Sequence, residues 1–431
     1  MKRVFLLFAI GCGLIAANAQ DFGTFSNQFV AGYKALHIGS LELSYETGLR
    51  NIGPVKDIEK GIAFFQSVRR KLSGFYAASL EPKERLDLEL IDYESRLNLE
   101  RLALETKWAQ NRPSAISATG IYTIPNGKAW YVYLLKRWLS VDVSPDSIFQ
   151  FGLSEVTRVQ QHIEAIRAQT GMNEADFYRH LNDPSFFTSD RGTIQEAFEH
   201  MEVTINANLS KIFDDYPIPA LKIVQGADEA LAQTPGYYND DTFYYNLFDK
   251  PYNKRQIGWL FIHEGIPGHH FQISVSNRLD TSSVQQLFFY PGFVEGWGAY
   301  AEELGGELGA YATPYDKLGK WEWDIVRSVR VPLDVGLNYY GWTDEQALEF
   351  WKKNIRNQDD IAMREIKRLR RWPAQAITYK YGAAQIMSWK AKMRALQGAG
   401  FDEKAFHDRV LKCGRLPLAL IRERVFEEIV E

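Results

Sequence analysis

The sequence predicts a mainly helical (α+β) protein with a small mixed β-sheet beside one functional helix. Three observations predict it. Apolar residues recur at helical spacing through most of the chain, two short β-rich runs lie between Pro217 and Phe248, and the apolar run Ile257–Ile262 leads directly into His263-Glu264.

The first residues read as a targeting segment. Lys2 and Arg3 precede an apolar run from Val4 to Ile15, and Ala17-Asn18-Ala19 supplies the small-x-small pattern of a cleavage site. The run is shorter than the roughly 20 residues of a permanent span. Residues 1–19 are therefore expected to be a signal peptide removed before Gln20. An alternative is lipoprotein processing at Cys12, because Ala9-Ile10-Gly11-Cys12 loosely resembles a lipobox. Without Cys12 only Cys413 remains, so no internal disulfide is expected and a large core must stabilise the fold. The net charge of −4 argues against a nucleic-acid surface. No linker of low complexity divides residues 20–431, which read as a single domain with an N-terminal helical half (20–215) and a catalytic half (216–431). The mature chain is expected to carry no membrane span, in the periplasm or secreted.

Leu86, Leu90, Tyr93, Leu97 and Leu104 mark one helix, with Pro82 in its first turn. Ser144-Pro145 opens a second that carries Ile148, Phe151, Val156 and Ile163 towards Gly171. Ile194, Phe198, Met201, Ile205, Leu209 and Ile212 make a third stripe, and Thr343 with Gln346 is a capping box. Asn111 to Lys128 reads as a loop. Leu221–Val224 and Phe243–Phe248 read as strands, with Gly236-Tyr237-Tyr238 in a turn-rich connector. An edge strand beside a cleft can hold an extended peptide through its backbone.

His263-Glu264 is the core of the functional reading. A neutral imidazole is a standard zinc ligand, and an adjacent carboxylate can accept a proton from water whose pKa zinc has lowered to about 7. The usual spacing puts a second histidine four residues on, one helical turn away. Here that position is Pro267, and His269 and His270 stand six and seven residues after His263. On an ideal helix six residues turn a side chain roughly 120° away, and seven add about 10.5 Å of rise, so neither pair could share an ion. Gly265, Pro267 and Gly268 allow a bulge that rejoins the helix. An insertion of two residues makes His269 the second ligand; one of three makes it His270. Glu295, among Phe293, Val294 and Trp297, is the expected third ligand, because a carboxylate is costly to bury unless paired or bound to metal. Glu302 lies two turns further and is placed to orient a ligand histidine. One Zn2+ with an open fourth position is the expectation.

The segments His-Glu-Gly-Ile-Pro-Gly-His-His-Phe-Gln (263–272) and Phe-Val-Glu-Gly-Trp-Gly-Ala-Tyr-Ala-Glu (293–302) resemble the bacterial DUF885 family. Supporting matches are Leu153-Ser154-Glu155-Val156, Trp323, Arg330, Asp334-Val335-Gly336-Leu337, Trp372–Ala376, Tyr379-Lys380, Gly382 and Ala405–Asp408. The resemblance spans roughly residues 80–431 and implies a zincin-like helical metallopeptidase fold and peptide-bond hydrolysis. Two departures stand out: the N-terminal side is shorter than in many relatives, and Asn338 occupies a position where relatives often carry histidine.

Further roles follow from chemistry. Tyr379 is the expected donor to the oxyanion of a tetrahedral intermediate, with Tyr381 its neighbour. Arg330 either clamps a peptide carboxylate or pairs with Asp334, four residues on. Lys367, Arg368, Arg370 and Arg371 read as a solvated basic face. The expected function is a zinc peptidase acting on oligopeptides, with Glu264 as general base and His263, His269 and Glu295 holding the ion. Alternatives are a zinc hydrolase of non-peptide amides or esters, and a catalytically silent metal- or peptide-binding protein.

Overall fold

Local capping signals set the boundaries of the long helices in the computed structural model, which describes residues 21–427 apart from 229–230, 232–233, 249 and 357. The expected signal peptide and Cys12 lie outside the described residues. The N-terminal part comprises α1 (Phe22–Ala35), α2 (Tyr45–Arg50), α3 (Val55–Leu72), α4 (Pro82–Gln110), α5 (Gly127–Leu139), α6 (Pro145–Thr170), α7 (Glu174–His180) and α8 (Arg191–Leu209). Pro82 occupies the first turn of α4, behind a capping box of Glu81 and Glu84. Ser144 caps α6, its hydroxyl accepting from the Ser147 amide at 3.1 Å, and Gly171 ends that helix in the left-handed region at φ 70°. The expected loop from Asn111 to Lys128 closes two residues early, because α5 already begins at Gly127.

Strand β1 (Phe187–Thr188) pairs with β5 (Tyr252–Asn253), and β2 (Lys222–Gln225), β3 (Gly236–Asn239) and β4 (Thr242–Tyr245) form the main sheet. Its order is β2-β4-β3, with β2 parallel and β3 antiparallel to β4. The mixed sheet is as expected, but Gly236-Tyr237-Tyr238 is a strand rather than a connector. Asp240 and Asp241 take positive φ of 46° and 54°, the tight-hairpin conformation, and this brings Tyr237 onto Tyr244 with ring centres 4.7 Å apart. The second strand is also shorter than expected. Asn246 leaves the ladder, and its Nδ2 donates to the carbonyls of Leu231 and Thr234 at 2.8 and 2.9 Å.

The remaining helices are α9 (Ile257–Glu264), α10 (His269–Ser276), α11 (Pro291–Ala301), α12 (Pro314–Val335), α13 (Asp344–Asn354), α14 (Asp359–Arg371), α15 (Ile377–Gln397), α16 (Glu403–Lys412) and α17 (Leu418–Phe426). The Thr343–Gln346 box caps α13 as expected. One apolar cluster joins helices of the N-terminal part to α9, α10, α11 and α15, and a second joins α6 and α7 to α12, α13 and α14 around Trp321, Trp351 and Phe177. Helices α11 and α15 cross with their backbones touching: a Cβ on Gly296 would lie 2.5 Å from the Gly382 Cα.

A buried ion network ties α6, α12 and α15 together. The Lys380 ammonium lies 2.8 Å from Asp324 and 2.9 Å from Glu155, while Lys320 lies 2.6 Å from Glu303 and 3.2 Å from Asp324. Burial opposes ionisation of Asp324, but Lys320, Lys380 and Arg158 outweigh it and hold the carboxyl well below its ordinary range.

Asp334 on α12 is the reverse case. It accepts from the Tyr131 hydroxyl at 2.7 Å and the Ala374 amide at 3.0 Å, with no cation against it among the described residues, and burial lifts its carboxyl to about 7. Because the folded-state pKa is raised, this group's contribution to stability is complete below the unfolded value near 4 and is lost as pH rises through 7. Between pH 6 and pH 8 the wild type should lose on the order of 1 kcal/mol relative to D334N, as measured by denaturant unfolding at each pH. Identical pH profiles for the two proteins would refute this.

Candidate metal centre

All of Ile257 to Glu264 is buried, so α9 runs through the interior and delivers His263 and Glu264 at its C-terminal end. The helix does not bulge and rejoin itself, as the spacing suggested. It stops, and α10 starts afresh at His269. Gly265 and Gly268 leave the helical region with ψ of −115° and −130°. At Gly268 the chain folds back so tightly that a Cβ would lie 2.0 Å from the His263 carbonyl oxygen, which glycine alone tolerates. The Trp297 indole N–H fastens the break by donating to the Pro267 carbonyl at 2.8 Å.

The break brings two imidazoles together. Nε2 of His263 lies 3.8 Å and Nε2 of His269 lies 3.5 Å from the same Glu295 oxygen. Their ring centres are 4.7 Å apart, and the ligating atoms of the three residues all fall within 4.8 Å of one another. Two ligands bound tetrahedrally at 2.0–2.1 Å stand about 3.3 Å apart, so each histidine is within about half an ångström of its bound distance from Glu295, and the trio as a whole draws in from a spread of up to 4.8 Å to hold zinc. His270 does not join them. It is fully buried on the other side of α10, with Nε2 3.0 Å from the Pro219 carbonyl and Nδ1 3.3 Å from the Tyr238 hydroxyl. A two-residue insertion therefore describes the geometry.

The glycines of Glu295-Gly296-Trp297-Gly298 have distinct tasks. Gly296 lets α11 meet α15, while Gly298 faces the imidazoles. A Cβ on Gly298 would lie 2.8 Å from His263 Cε1 and 3.1 Å from His269 Cε1. Glu302 completes the arrangement. Its carboxylate lies 2.8 Å from His263 Nδ1, which fixes the proton there and leaves Nε2 with a lone pair towards Glu295. Arg327, from α12, holds Glu302 with contacts of 2.5 and 2.7 Å. Sequence reasoning placed Glu302 but missed Arg327; a cation inside the apolar face of α12 was the available signal. Nδ1 of His269 is buried and has no hydrogen-bond partner among the described residues, so only one of the two imidazoles is braced by a carboxylate.

The electrostatics favour a positive charge at the centre. Burial and Arg327 work against protonation of His263, yet Glu295, Glu302 and Glu264 lift it to about 9. Burial works against ionisation of Glu295, yet the imidazoles of His263 and His269 beside it hold its carboxyl well below the usual range. Glu264 is only 8 % exposed, and its carboxylate has no hydrogen bond or ion pair among the described residues. Its electrostatic partner is the imidazole of His263, whose protonation it favours.

The other sequence candidates divide. Tyr379 is half-buried, with its ring 6.1 Å from that of His263, whereas Tyr381 packs edge-on against Phe151. Arg330 does not pair with Asp334. Its Nε donates to Glu365 at 2.9 Å and its guanidinium lies 5.1 Å from the Trp323 ring centre, while Asp334 is taken by Tyr131 and Ala374. Asn338 is fully buried in a wide turn of π-helix following α12, and its Nδ2 donates to the Leu369 carbonyl at 2.9 Å, a structural bond between helices. The basic run is not one solvated face. Lys367 and Arg371 are exposed, but Arg368 turns inward to Gln375 at 3.0 Å, and Arg370 binds Asp344 and the carbonyl of Trp342. The helical period of α14, with Ala362, Glu365, Ile366 and Leu369 buried, accounts for the split.

Two substitutions test the centre by zinc titration, with circular dichroism as the control on folding. G298A should abolish tight zinc uptake while the helical signal persists, because the added methyl overlaps both imidazoles. E302Q should weaken uptake on the order of 10- to 100-fold. Wild-type affinity in both variants would remove these residues from any metal site.

The fold is shared with two solved structures. One is described as the "putative lipoprotein from Colwellia psychrerythraea" (TM-score 0.67, 22 % identity, covering 95 % of this chain and 75 % of that one). The other is a "putative lipoprotein of unknown function from Shewanella oneidensis" (TM-score 0.72, 19 % identity, covering 95 % of this chain and 100 % of that one). No curated protein matches the sequence. The family model described as "Bacterial protein of unknown function (DUF885)" matches residues 101–425, and the chain belongs to that family.

Proposed function

We propose that this chain is an exported zinc-dependent peptidase acting on oligopeptides. The observation that carries the reading is Glu264: a buried carboxylate with no hydrogen bond or ion pair among the described residues, directly following one of two histidines that converge with Glu295. His263, His269 and Glu295 would hold the ion, which when bound supplies Lewis acidity to a carbonyl and lowers the pKa of water. Glu264 accepts a proton from the attacking water and returns it to the leaving amine. The Tyr379 phenol donates to the developing oxyanion, an interaction of about 3 kcal/mol. Glu302 and Arg327 act at one remove, fixing the tautomer of His263.

The sheet supports a peptide substrate. Strand β3 is an edge of the β2-β4-β3 sheet and lies against α9, where a Cβ on Gly236 would lie 3.4 Å from a Leu260 methyl carbon. Its free backbone groups suit an extended chain. This combination of a His-Glu helix, a neighbouring edge strand and a third ligand from the next helix supports a zincin-like assignment. Export rests on Lys2-Arg3 and the apolar run that follows. The lipoprotein descriptions of the two fold relatives favour a second reading of that segment, with Cys12 as the modified residue. Among the described residues no helix is long and apolar enough to cross a membrane.

E264Q separates the alternatives. The variant should retain zinc and lose turnover of a peptide library by about 10²- to 10⁴-fold, measured by mass spectrometry. Cleavage of small amides or esters but of no peptide would favour the non-peptide hydrolase. An absence of turnover in the zinc-loaded wild type on every substrate would leave a binding protein.

A further inference from the structure

Three guanidinium groups surround one buried carboxylate beside Tyr379. Glu365 lies 2.9 Å from Arg330, 3.7 Å from Arg364 and 3.9 Å from Arg368. Arg330 and Arg368 share this single negative charge, and the corner next to it holds a further Arg327, which pairs with Glu302 and also feels Asp324. The surplus is unevenly placed. Arg330 uses its Nε on Glu365, and its side chain is 3 % exposed. Arg368 keeps 22 % of its side-chain surface, and its nearest carboxylate is beyond hydrogen-bond length. One of its NH2 groups donates to the neutral amide of Gln375 at 3.0 Å, and its Nε is buried with no hydrogen-bond partner among the described residues. A guanidinium with unmet donors and incomplete neutralisation is suited to an incoming carboxylate.

Its place in the fold relates it to the centre. Gln375, which accepts from Arg368, stands four residues before Tyr379, and the Tyr379 ring lies 6.1 Å from the His263 ring. Burial disfavours the phenolate of Tyr379, as does Glu295, while Arg368 and Arg330 act in the opposite sense, so this hydroxyl senses both the ligand carboxylate and the arginines. A peptide's N-terminal ammonium would meet like charge in the same corner.

We infer that the site holds its substrate by the C-terminal carboxylate, with Arg368, positioned by Gln375 and the Arg330–Glu365 pair, as the receiving group, so that the protein trims peptides from the C-terminal end. This rests on the peptidase reading above. The carboxylate clamp expected at Arg330 thereby moves to Arg368, on the neighbouring helix.

The test compares zinc-loaded wild type and R368Q on matched peptides ending in a free carboxylate or a carboxamide, each with and without N-acetylation. Wild type should prefer the free acid by 10- to 100-fold in kcat/KM and be indifferent to acetylation. R368Q should lose that preference mainly through KM, and R368K should restore part of it. Equal rates on acid and amide in the wild type, or an unchanged preference in R368Q, would overturn the assignment while leaving peptidase activity intact. The same peptides titrated into zinc-loaded E264Q supply a readout that needs no turnover. Preferential binding of the free acid, abolished by adding R368Q, supports the clamp even if no peptide is cleaved, whereas equal or undetectable binding of both forms overturns it. If R368Q fails to fold, the acid–amide comparison in the wild type and in E264Q decides.

Discussion

Two imidazoles six residues apart cannot meet on a continuous helix, and the site depends on how this chain escapes that constraint. The escape is a complete break between α9 and α10, made by Gly265 and Gly268 and fastened by the Trp297 indole on the Pro267 carbonyl. Everything around the centre follows from the turn. It brings His269 towards Glu295, sends His270 to Pro219 and Tyr238, and requires an absent side chain at Gly298 where the two rings converge. The Glu-Gly-Trp-Gly segment is therefore one mechanical device, with the carboxylate that faces both histidines, a helix contact, a clamp and a clearance at successive positions.

Charge is organised in layers around this device. Nearest the centre, Glu302 faces His263 and is itself held by Arg327. Behind it, Lys380, Lys320 and Arg158 balance Asp324, Glu155 and Glu303, tying α6, α12 and α15 into one wall. Such buried pairs give little net stability, but removing one partner costs roughly 3–5 kcal/mol, so they hold the wall in one arrangement. To the side, the layer is left unbalanced at Arg368, and there the structure has capacity for an anion. Burial is thus used in opposite ways within a few residues of α12: to pair charge at Asp324 and to suppress it at Asp334.

Much of this was legible in the sequence because it is local. Helix starts at Pro82, Ser144 and Thr343 are written in capping residues within one turn, and the mixed sheet follows from β-branched and aromatic runs. His263, Glu264 and Glu295 could be named from residue type and an apolar setting. Which of His269 and His270 faces His263 could not, because one residue of phase across a non-helical break reverses the face presented. Strand β3 was hidden by its glycine and the aspartates, whose positive φ makes the hairpin. Arg327, the Arg330–Glu365 pair and the inward turn of Arg368 depend on contacts between helices distant in sequence, where the partner of a charge is a matter of packing rather than of spacing.

The contact between Gly296 and Gly382 has a consequence for motion. Glu295 immediately precedes one glycine and Tyr379 stands one turn before the other, and the two backbones touch with no side chain between them. A helix pair seated in this way has no compressible layer through which to slide or rock. The Glu295 carboxylate and the Tyr379 phenol therefore travel as a single body, and any opening of the site is left to its other walls, the broken α9–α10 turn or the arginine-bearing α14.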